Sequence, residues 1–154
     1  MIKASNLKNT GSPMVRLDNP DHDTINTWQD MIWYTICSTN DEKYGLPIIV
    51  GKDMVKSGGL FGKTEPCVII YNENHENDYF QWVIILHEQR GQIMIDMWNY
   101  GNSRQFKNEM LGKNRGIGGA VRNAVFGSKD KWQEESKYYD MVISLICDAL
   151  NIHM

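Results

Sequence analysis

Two apolar runs, residues 79–86 and 93–98, flank Arg90-Gly91 and constrain the fold more than any other feature of the chain. A tight turn at Arg90-Gly91 would pair the two runs as antiparallel strands. The direct pairs would then include Leu86 with Ile95 and Ile84 with Met97. In this register one face is wholly apolar and carries Phe80, Trp82, Ile84, Leu86, Ile93, Ile95 and Met97. Turn position and side-chain alternation agree, which predicts a β-hairpin with one face in the core, although a three-residue loop with a bulge would shift the pairing.

Helical periodicity occurs on both sides of this hairpin. Asp23 is suited to cap a helix with the apolar positions Ile25, Trp28, Met31, Ile32, Ile36 and Cys37. Ser128 or Asp130 can cap a long helix with one face formed by Trp132, Tyr139, Ile143, Ile146 and Leu150. Further strands are predicted at residues 48–50 and 67–71, and short helices at residues 103–111 and 118–126.

The order of these elements predicts an α+β fold. We expect an antiparallel meander sheet of three to four strands, with the N-terminal helix and the C-terminal helices packed on one face. Residues 1–22 contain Gly11, Pro13 and Pro20 without periodicity, which predicts an irregular N-terminal arm. Residues 23–154 are then one globular domain, a size that suits a single core.

Composition excludes some classes of function. The net charge of −3 argues against binding nucleic acid or an anionic membrane through overall charge. No apolar run is long enough for a signal peptide or a membrane span, so we expect a cytoplasmic protein. The three cysteines, Cys37, Cys67 and Cys147, form no C-x-x-C pair and are interpreted as reduced core thiols.

No cofactor or metal site is predicted. His22 and His75 each have acidic neighbours in the sequence, but neither cluster has the repeated ligand spacing of a structural zinc site. A solvated turn and a helix-capping segment explain these two clusters.

The first candidate binding segment is a glycine-rich, basic stretch at residues 51–65. It resembles a phosphate-binding loop only superficially, because Ser57 replaces the first glycine and a strand replaces the helix that should follow. As a flexible loop it would present Lys52, Lys56 and Lys63 to an anion or a protein partner. Phe61 would add an apolar contact.

The second candidate segment, residues 112–119, precedes a predicted helix that carries Arg122. Free backbone N–H groups and a positive helix end, together with Lys113, Arg115 and Arg122, could bind an anionic ligand. A solvated connection between two helices explains the same composition and is the simpler interpretation.

His87 and Asp96 lie on the more polar face of the predicted hairpin, as diagonal neighbours about 7–8 Å apart. A histidine oriented by a carboxylate is central to many acid–base sites. No serine or cysteine can be placed beside them, and polar residues on a solvated sheet face are the commoner explanation.

These features favour a small, intracellular, non-catalytic binding or regulatory module whose basic glycine-rich loops contact a protein or a small anionic ligand. Nucleic acid is a weaker option, because the charge permits only a local patch. One alternative is a small hydrolase or transferase that uses His87 and Asp96 on an anionic substrate held by Lys113, Arg115 or Arg122. Another is a homo-oligomeric or inhibitor protein with an exposed apolar surface around Leu60 and Phe61. The sequence does not determine the oligomeric state.

Overall fold

The fold is a mixed α+β arrangement of one sheet and two helices. The computed structural model describes residues 1–10, 14–59, 62–75, 80–101 and 129–151. The strands are β1 (Ile2–Lys3), β2 (Lys8–Asn9), β3 (Val15–Asp18), β4 (Ile48–Lys56), β5 (Thr64–Asn72), β6 (Gln81–Gln89) and β7 (Gln92–Tyr100). The helices are α1 (Ile25–Thr39) and α2 (Lys129–Leu150), with a 3-10 turn at Ala4–Asn6 and a π-helical turn at Asn40–Tyr44. Neither α1 nor α2 combines the length and apolar content needed to cross a membrane.

The sheet has the strand order β1-β4-β5-β6-β7-β2, and β3 pairs with β7 beside β2. Strands β4 to β7 form an antiparallel meander. The α+β class is therefore confirmed, whereas the predicted sheet of three to four strands is too small. The short N-terminal strands account for the difference, because they extend the meander at both edges.

The predicted register of the β6–β7 hairpin is confirmed. Leu86 lies opposite Ile95, and Ile84 lies opposite Met97. Arg90 and Gly91 both have positive φ, 52° and 75°, as a two-residue turn of the primed type requires. The conformation of this turn thus agrees with the register that the alternation of apolar side chains predicts.

The N-terminal segment, where we expected an irregular arm, contributes strands to the sheet. Ile2 pairs in parallel with Val55 of β4, while Asn9 pairs with Trp98 of β7. This pattern was missed because each strand is short, and β1 and β2 have only two residues apiece. Alternation over so few residues gives no periodic signal.

This segment passes from one edge of the sheet to the other within a few residues. The five steps from Lys3 to Lys8 span at most about 18 Å even when fully extended. The five strand spacings between β1 and β2 amount to about 24 Å in a flat sheet. The sheet must therefore twist and curl so that its two edges approach each other, as twisted sheets do. Ala4 and Leu7 of the crossing segment pack against the face that they cross.

The sheet has an apolar cluster on each face. The larger one lies under the two described helices and includes Ile32, Ile36, Val68, Ile70, Ile84, Leu86, Ile93, Ile95, Val142, Leu145 and Ile146. The smaller one lies under the crossing segment and consists of Ile2, Val55, Cys67, Val83 and Ile85. The first six residues of β6 are consequently buried, whichever face they point to. The prediction that the second face is solvated is wrong at these positions.

Helix α1 begins one residue later than the predicted cap. Thr24, not Asp23, accepts the capping hydrogen bond, from the backbone N–H of Thr27. Asp23 is held instead by Asn19, whose side chain donates to the carbonyl of Asp23 and accepts from its N–H. Met31 was predicted to belong to the apolar stripe of α1, but it is 44% exposed and lies outside the core.

Helix α2 packs on α1 and on the sheet. Val142, Leu145 and Ile146 are fully or almost fully buried. The predicted contacts of Tyr139, Ile143 and Leu150 with the core are confirmed. The side chain of Trp132 and the predicted helices at residues 103–111 and 118–126 lie outside the described residues.

A buried amide attaches α1 to the sheet. Gln29 Nε2 donates to the carbonyl oxygens of Asp53 at 3.1 Å and Cys67 at 2.9 Å, which belong to a directly opposed β4–β5 pair. Trp33 Nε1 donates to the carbonyl of Val50 at 2.8 Å. These bonds fix the helix along β4, where packing alone would allow it to slide.

We expect Gln29→Met to lower the free energy of unfolding by about 1–3 kcal/mol, because the side-chain volume is kept while both hydrogen bonds are lost. Urea denaturation followed by circular dichroism measures this change. Asn26→Ala, at an exposed position of the same helix, should change stability by less than about 0.5 kcal/mol. Equal stabilities of the two variants would show that the Gln29 bonds contribute nothing.

Candidate functional site

The connection between β4 and β5 is shorter than predicted. The sequence predicts a loop over residues 51–65, but β4 extends to Lys56 and β5 begins at Thr64, so the hairpin loop comprises residues 57–63. Gly51 belongs to the strand, where a Cβ atom would come within 3.2 Å of the Ile69 side chain. Gly51 is therefore explained by close packing of the Ile69 side chain against the strand. The glycine content of residues 51–65 had predicted a flexible segment instead.

The described residues of the hairpin loop, 57–59 and 62–63, have a conformation that depends on glycine. The N–H of Ser57 donates to the carbonyl of Lys63 at 2.9 Å, and the N–H of Gly62 donates to the carbonyl of Gly59 at 3.0 Å. Gly58 has φ +76°, a conformation that other residues rarely adopt. A Cβ atom at Gly62 would lie 1.7 Å from the carbonyl oxygen of Ser57. Both glycines are thus needed for this loop to close.

The predicted binding lysines of this segment have different surroundings. Lys52 is engaged within the protein, since its Nζ lies 2.8 Å from Asp30 Oδ1 and 5.4 Å from the centre of the Trp33 ring. Lys63 Nζ lies 3.6 Å from Glu65 Oε2. Lys56 pairs with Lys3 across β1 and β4, which places two like charges side by side at the sheet edge. In the described part of the chain no carboxylate forms an ion pair with Lys56.

A second group of polar side chains lies on the face that carries the smaller apolar cluster. This polar cluster consists of Glu65, His87 and Asp96, each between 15% and 21% exposed. His87 Nδ1 contacts Glu65 Oε2 directly, and His87 Nε2 lies 4.0 Å from Asp96 Oδ2. Asp96 Oδ2 also accepts a hydrogen bond of 2.8 Å from Trp98 Nε1. The structure therefore brings His87 and Asp96 together as predicted, and adds Glu65.

Glu65 was missed because the sequence analysis assigned it to the loop at residues 51–65 and predicted the strand only over residues 67–71. Proline cannot donate to a neighbouring strand and is rarely found inside a sheet. Here the β5–β6 pairing ends at Cys67 and Ile85, directly next to Pro66, while the β4–β5 pairing continues to Thr64. The signal that could have revealed this is alternation, because Glu65, Cys67 and Ile69 share one face.

The polar cluster lacks the other parts of a familiar catalytic site. Cys67 is the nearest thiol along this face, and its burial, followed by the charge of Asp53, raises its pKa to about 12. It therefore stays protonated and is a poor nucleophile. Within the described ranges, no group of three or more His, Cys, Asp or Glu side chains is arranged to hold a metal ion. His87 Nε2 is buried and has no hydrogen-bond partner among the described residues.

The remaining predicted site residues, Phe61, Lys113, Arg115 and Arg122, lie outside the described residues. The structure thus places Lys56 and Lys63 at the ends of one hairpin loop, and His87 with Asp96 in the polar cluster. Comparisons with protein-family models, with curated proteins and with solved structures found no match to this chain.

We expect the three free thiols to react at different rates. Cys67 is fully buried, whereas Cys37 and Cys147 are partly exposed. At pH 7 to 9 iodoacetamide should modify Cys37 and Cys147 well before Cys67, because only the thiolate reacts and Cys67 keeps its proton up to about pH 12. Peptide mass spectrometry at successive times measures the order. All three should react together in urea; equal rates in the native protein would contradict the burial of Cys67.

Proposed function

We propose that this protein is a non-catalytic binding module that presents the hairpin loop to a partner protein. The observation that supports this most is the size and construction of the loop. On the same sheet, β6 and β7 are joined by a two-residue turn, Arg90-Gly91, which is all that chain reversal requires. The β4–β5 hairpin uses seven residues and two conformationally special glycines. Loops on a rigid scaffold that exceed the needs of folding are common binding elements.

The sequence of the loop favours a protein partner. Leu60 and Phe61 occupy the two positions between Gly59 and Gly62 in the sequence. An aromatic anchor flanked by the cations Lys56 and Lys63 suits a protein surface with an apolar pocket and an acidic rim. A small anionic ligand is the weaker option in the described region, because Lys52 and Lys63 already lie beside carboxylates. Lys113, Arg115 and Arg122 stay candidates for contact with an anionic ligand on the sequence alone.

We also propose that the protein acts in the cytoplasm. The observation behind this is chemical: Cys37, Cys67 and Cys147 are all free thiols. Free cysteines are usual in a reducing compartment.

Phe61→Asp and the double variant Lys56→Glu/Lys63→Glu test the binding function. Each should weaken partner binding by at least about tenfold, because the first places a charge in an apolar contact and the second reverses the loop charge. Partners captured from native cells by the wild-type protein are quantified by mass spectrometry, and binding of the purified partner is then measured by calorimetry. Lys43→Glu, which makes one such Lys→Glu change at an exposed site of the π-helical turn, should bind like the wild type.

Other outcomes would identify a different function. Partner binding that is equal in all variants would reject the hairpin loop as the interface. A small bound anion in the native mass spectrum would replace the protein partner by a ligand. A homo-oligomer that dissociates in Phe61→Asp, without loss of folding, would favour the oligomer alternative.

A second candidate function, a small hydrolase or transferase, is supported by one observation. His87 is oriented by Glu65, and an oriented imidazole is the core of general acid–base catalysis. It lacks a nucleophile and a described substrate site. Turnover of an anionic ester by the wild-type protein that is abolished in His87→Gln would establish it.

A further inference from the structure

Strand β4 has a strand on only one side over most of its length. It pairs with β5 from Ile48 to Lys56, whereas on its other side β1 pairs only with Val55 and Lys56. Among the described residues, no strand lies beside this second side from Ile48 to Met54, which we call the open edge. An open edge of a sheet presents backbone N–H and C=O groups that can pair with a further strand.

The backbone groups of Val50 and Lys52 point outward at the open edge. Gln29 Nε2 is bonded to the carbonyls of both Asp53 and Cys67, at 3.1 Å and 2.9 Å. One atom can reach both only if the two carbonyls point toward the gap between β4 and β5. Successive residues of a strand direct their backbone groups to opposite sides, so those of Val50 and Lys52 point away from β5.

The open edge lacks the usual protection against strand pairing. A lysine that extends over an edge keeps other strands away. Lys52 is instead folded back onto α1, with its Nζ 2.8 Å from Asp30 Oδ1 and 5.4 Å from the centre of the Trp33 ring. Trp33 Nε1 donates to the Val50 carbonyl, whose oxygen has a second lone pair. No described residue accepts a hydrogen bond from the outward N–H groups of Val50 and Lys52.

An exposed isoleucine and a glycine lie close together on this edge. Ile49 is 42% exposed, and it shares a face of the sheet with Gly51 because side chains alternate along a strand. Gly51 has no side chain of its own, and the side chain of Ile69 on β5 packs beside it. An apolar side chain from a neighbouring strand can therefore lie on Gly51 and contact Ile69.

We propose that the open edge pairs with the open edge of a second copy of the chain, antiparallel about a two-fold axis at Val50. In this dimer Val50 N–H donates to the Val50 carbonyl of the second copy, and Lys52 N–H donates to the Ile48 carbonyl. Ile49 lies opposite Gly51 of the second copy in a closely spaced pair, so each exposed isoleucine packs on a glycine.

Charge and space select this register. An axis at Lys52 would set two lysines opposite each other and extend the second strand into β1, which occupies the edge beyond residue 54. An axis at Gly51 would set Ile49 opposite the carboxylate of Asp53. The axis at Val50 avoids these contacts, because its paired stretch is residues 48–52 of each copy.

Helix α1 leaves room for the second copy. Because Gln29 bonds to both β4 and β5, α1 lies above this pair of strands and not beyond the open edge. In the dimer the two strand pairs lie side by side, which sets the two α1 helices about two strand spacings, or about 10 Å, apart. Packed helices are separated by roughly 8–10 Å. The two helices can thus contact each other without displacing the strands.

Sedimentation velocity of the purified protein over a range of concentrations tests the dimer. The wild type should sediment as a dimer at high concentration. Ile49→Lys should raise the dissociation constant at least about tenfold, because it places a charge in the centre of the interface. Met141→Lys makes the same change at a residue of α2 that is 44% exposed, and it should dimerise like the wild type.

A second pair of variants tests the backbone bonds. Lys52→Pro removes the outward N–H but no bond to β5, and proline is tolerated on edge strands. It should dissociate the dimer, whereas Lys52→Ala, which also loses the contacts with Asp30 and Trp33, should not. Circular dichroism of each variant shows whether it is folded, and Ile49→Lys decides the question if Lys52→Pro is not.

Three results would overturn the proposal. The first is a wild type that is monomeric at every concentration. The second is a dimer that forms equally well in Ile49→Lys and in folded Lys52→Pro. The third is a dimer that dissociates in Phe61→Asp but not in Ile49→Lys, which would assign the interface to the hairpin loop. Because no partner protein is used, the result is independent of whether the hairpin loop binds one.

Discussion

Strand β6 carries large apolar side chains on both of its faces, and the rest of the architecture covers them. Its inner residues Val83, Ile84, Ile85 and Leu86 are all less than 5% exposed. Burial of each such side chain contributes about 1.5–3 kcal/mol, so neither face can be left in water. Helices α1 and α2 cover one face, and the N-terminal segment crosses the other. The crossing segment is held at both ends, because β1 pairs with β4 on one side of β6 and β2 pairs with β7 on the other.

The same arrangement explains why a proline is tolerated inside the sheet. Pro66 is next to Cys67, which is completely buried and attached to α1 through the amide of Gln29. Strand β5 thus keeps its pairing with β4 on one side while the pairing with β6 ends on the other. Beside this interruption, the side chains of Glu65 and His87 contact each other across β5 and β6. Where the backbone pairing stops, two side chains connect the strands instead.

The sequence was sufficient for those parts of the fold that repeat a pattern over many residues. The β6–β7 register followed from seven apolar residues at alternate positions, and the core contacts of α2 followed from their helical spacing. It was insufficient where few residues decide the structure. Two-residue strands give no period. Gly51 and Glu65 were both assigned to a loop because of the glycines and lysines between them, although both lie in strands. His87 and Asp96 were paired correctly, since their positions depend only on the register of one hairpin.

The polar cluster connects neighbouring strands and lacks the accessible nitrogen that a general base needs. A general base needs a nitrogen that a substrate can reach, whereas His87 Nδ1 is occupied by Glu65 and Nε2 is inaccessible to solvent. The hairpin loop between β4 and β5 is closed by backbone hydrogen bonds of its own, from Ser57 and Gly62. The hydroxyl of Ser57 adds a bond to the carbonyl of Lys63. Glu65, which contacts His87, follows Lys63 by two residues, so the polar cluster and the hairpin loop lie at the same end of the β4–β5 hairpin.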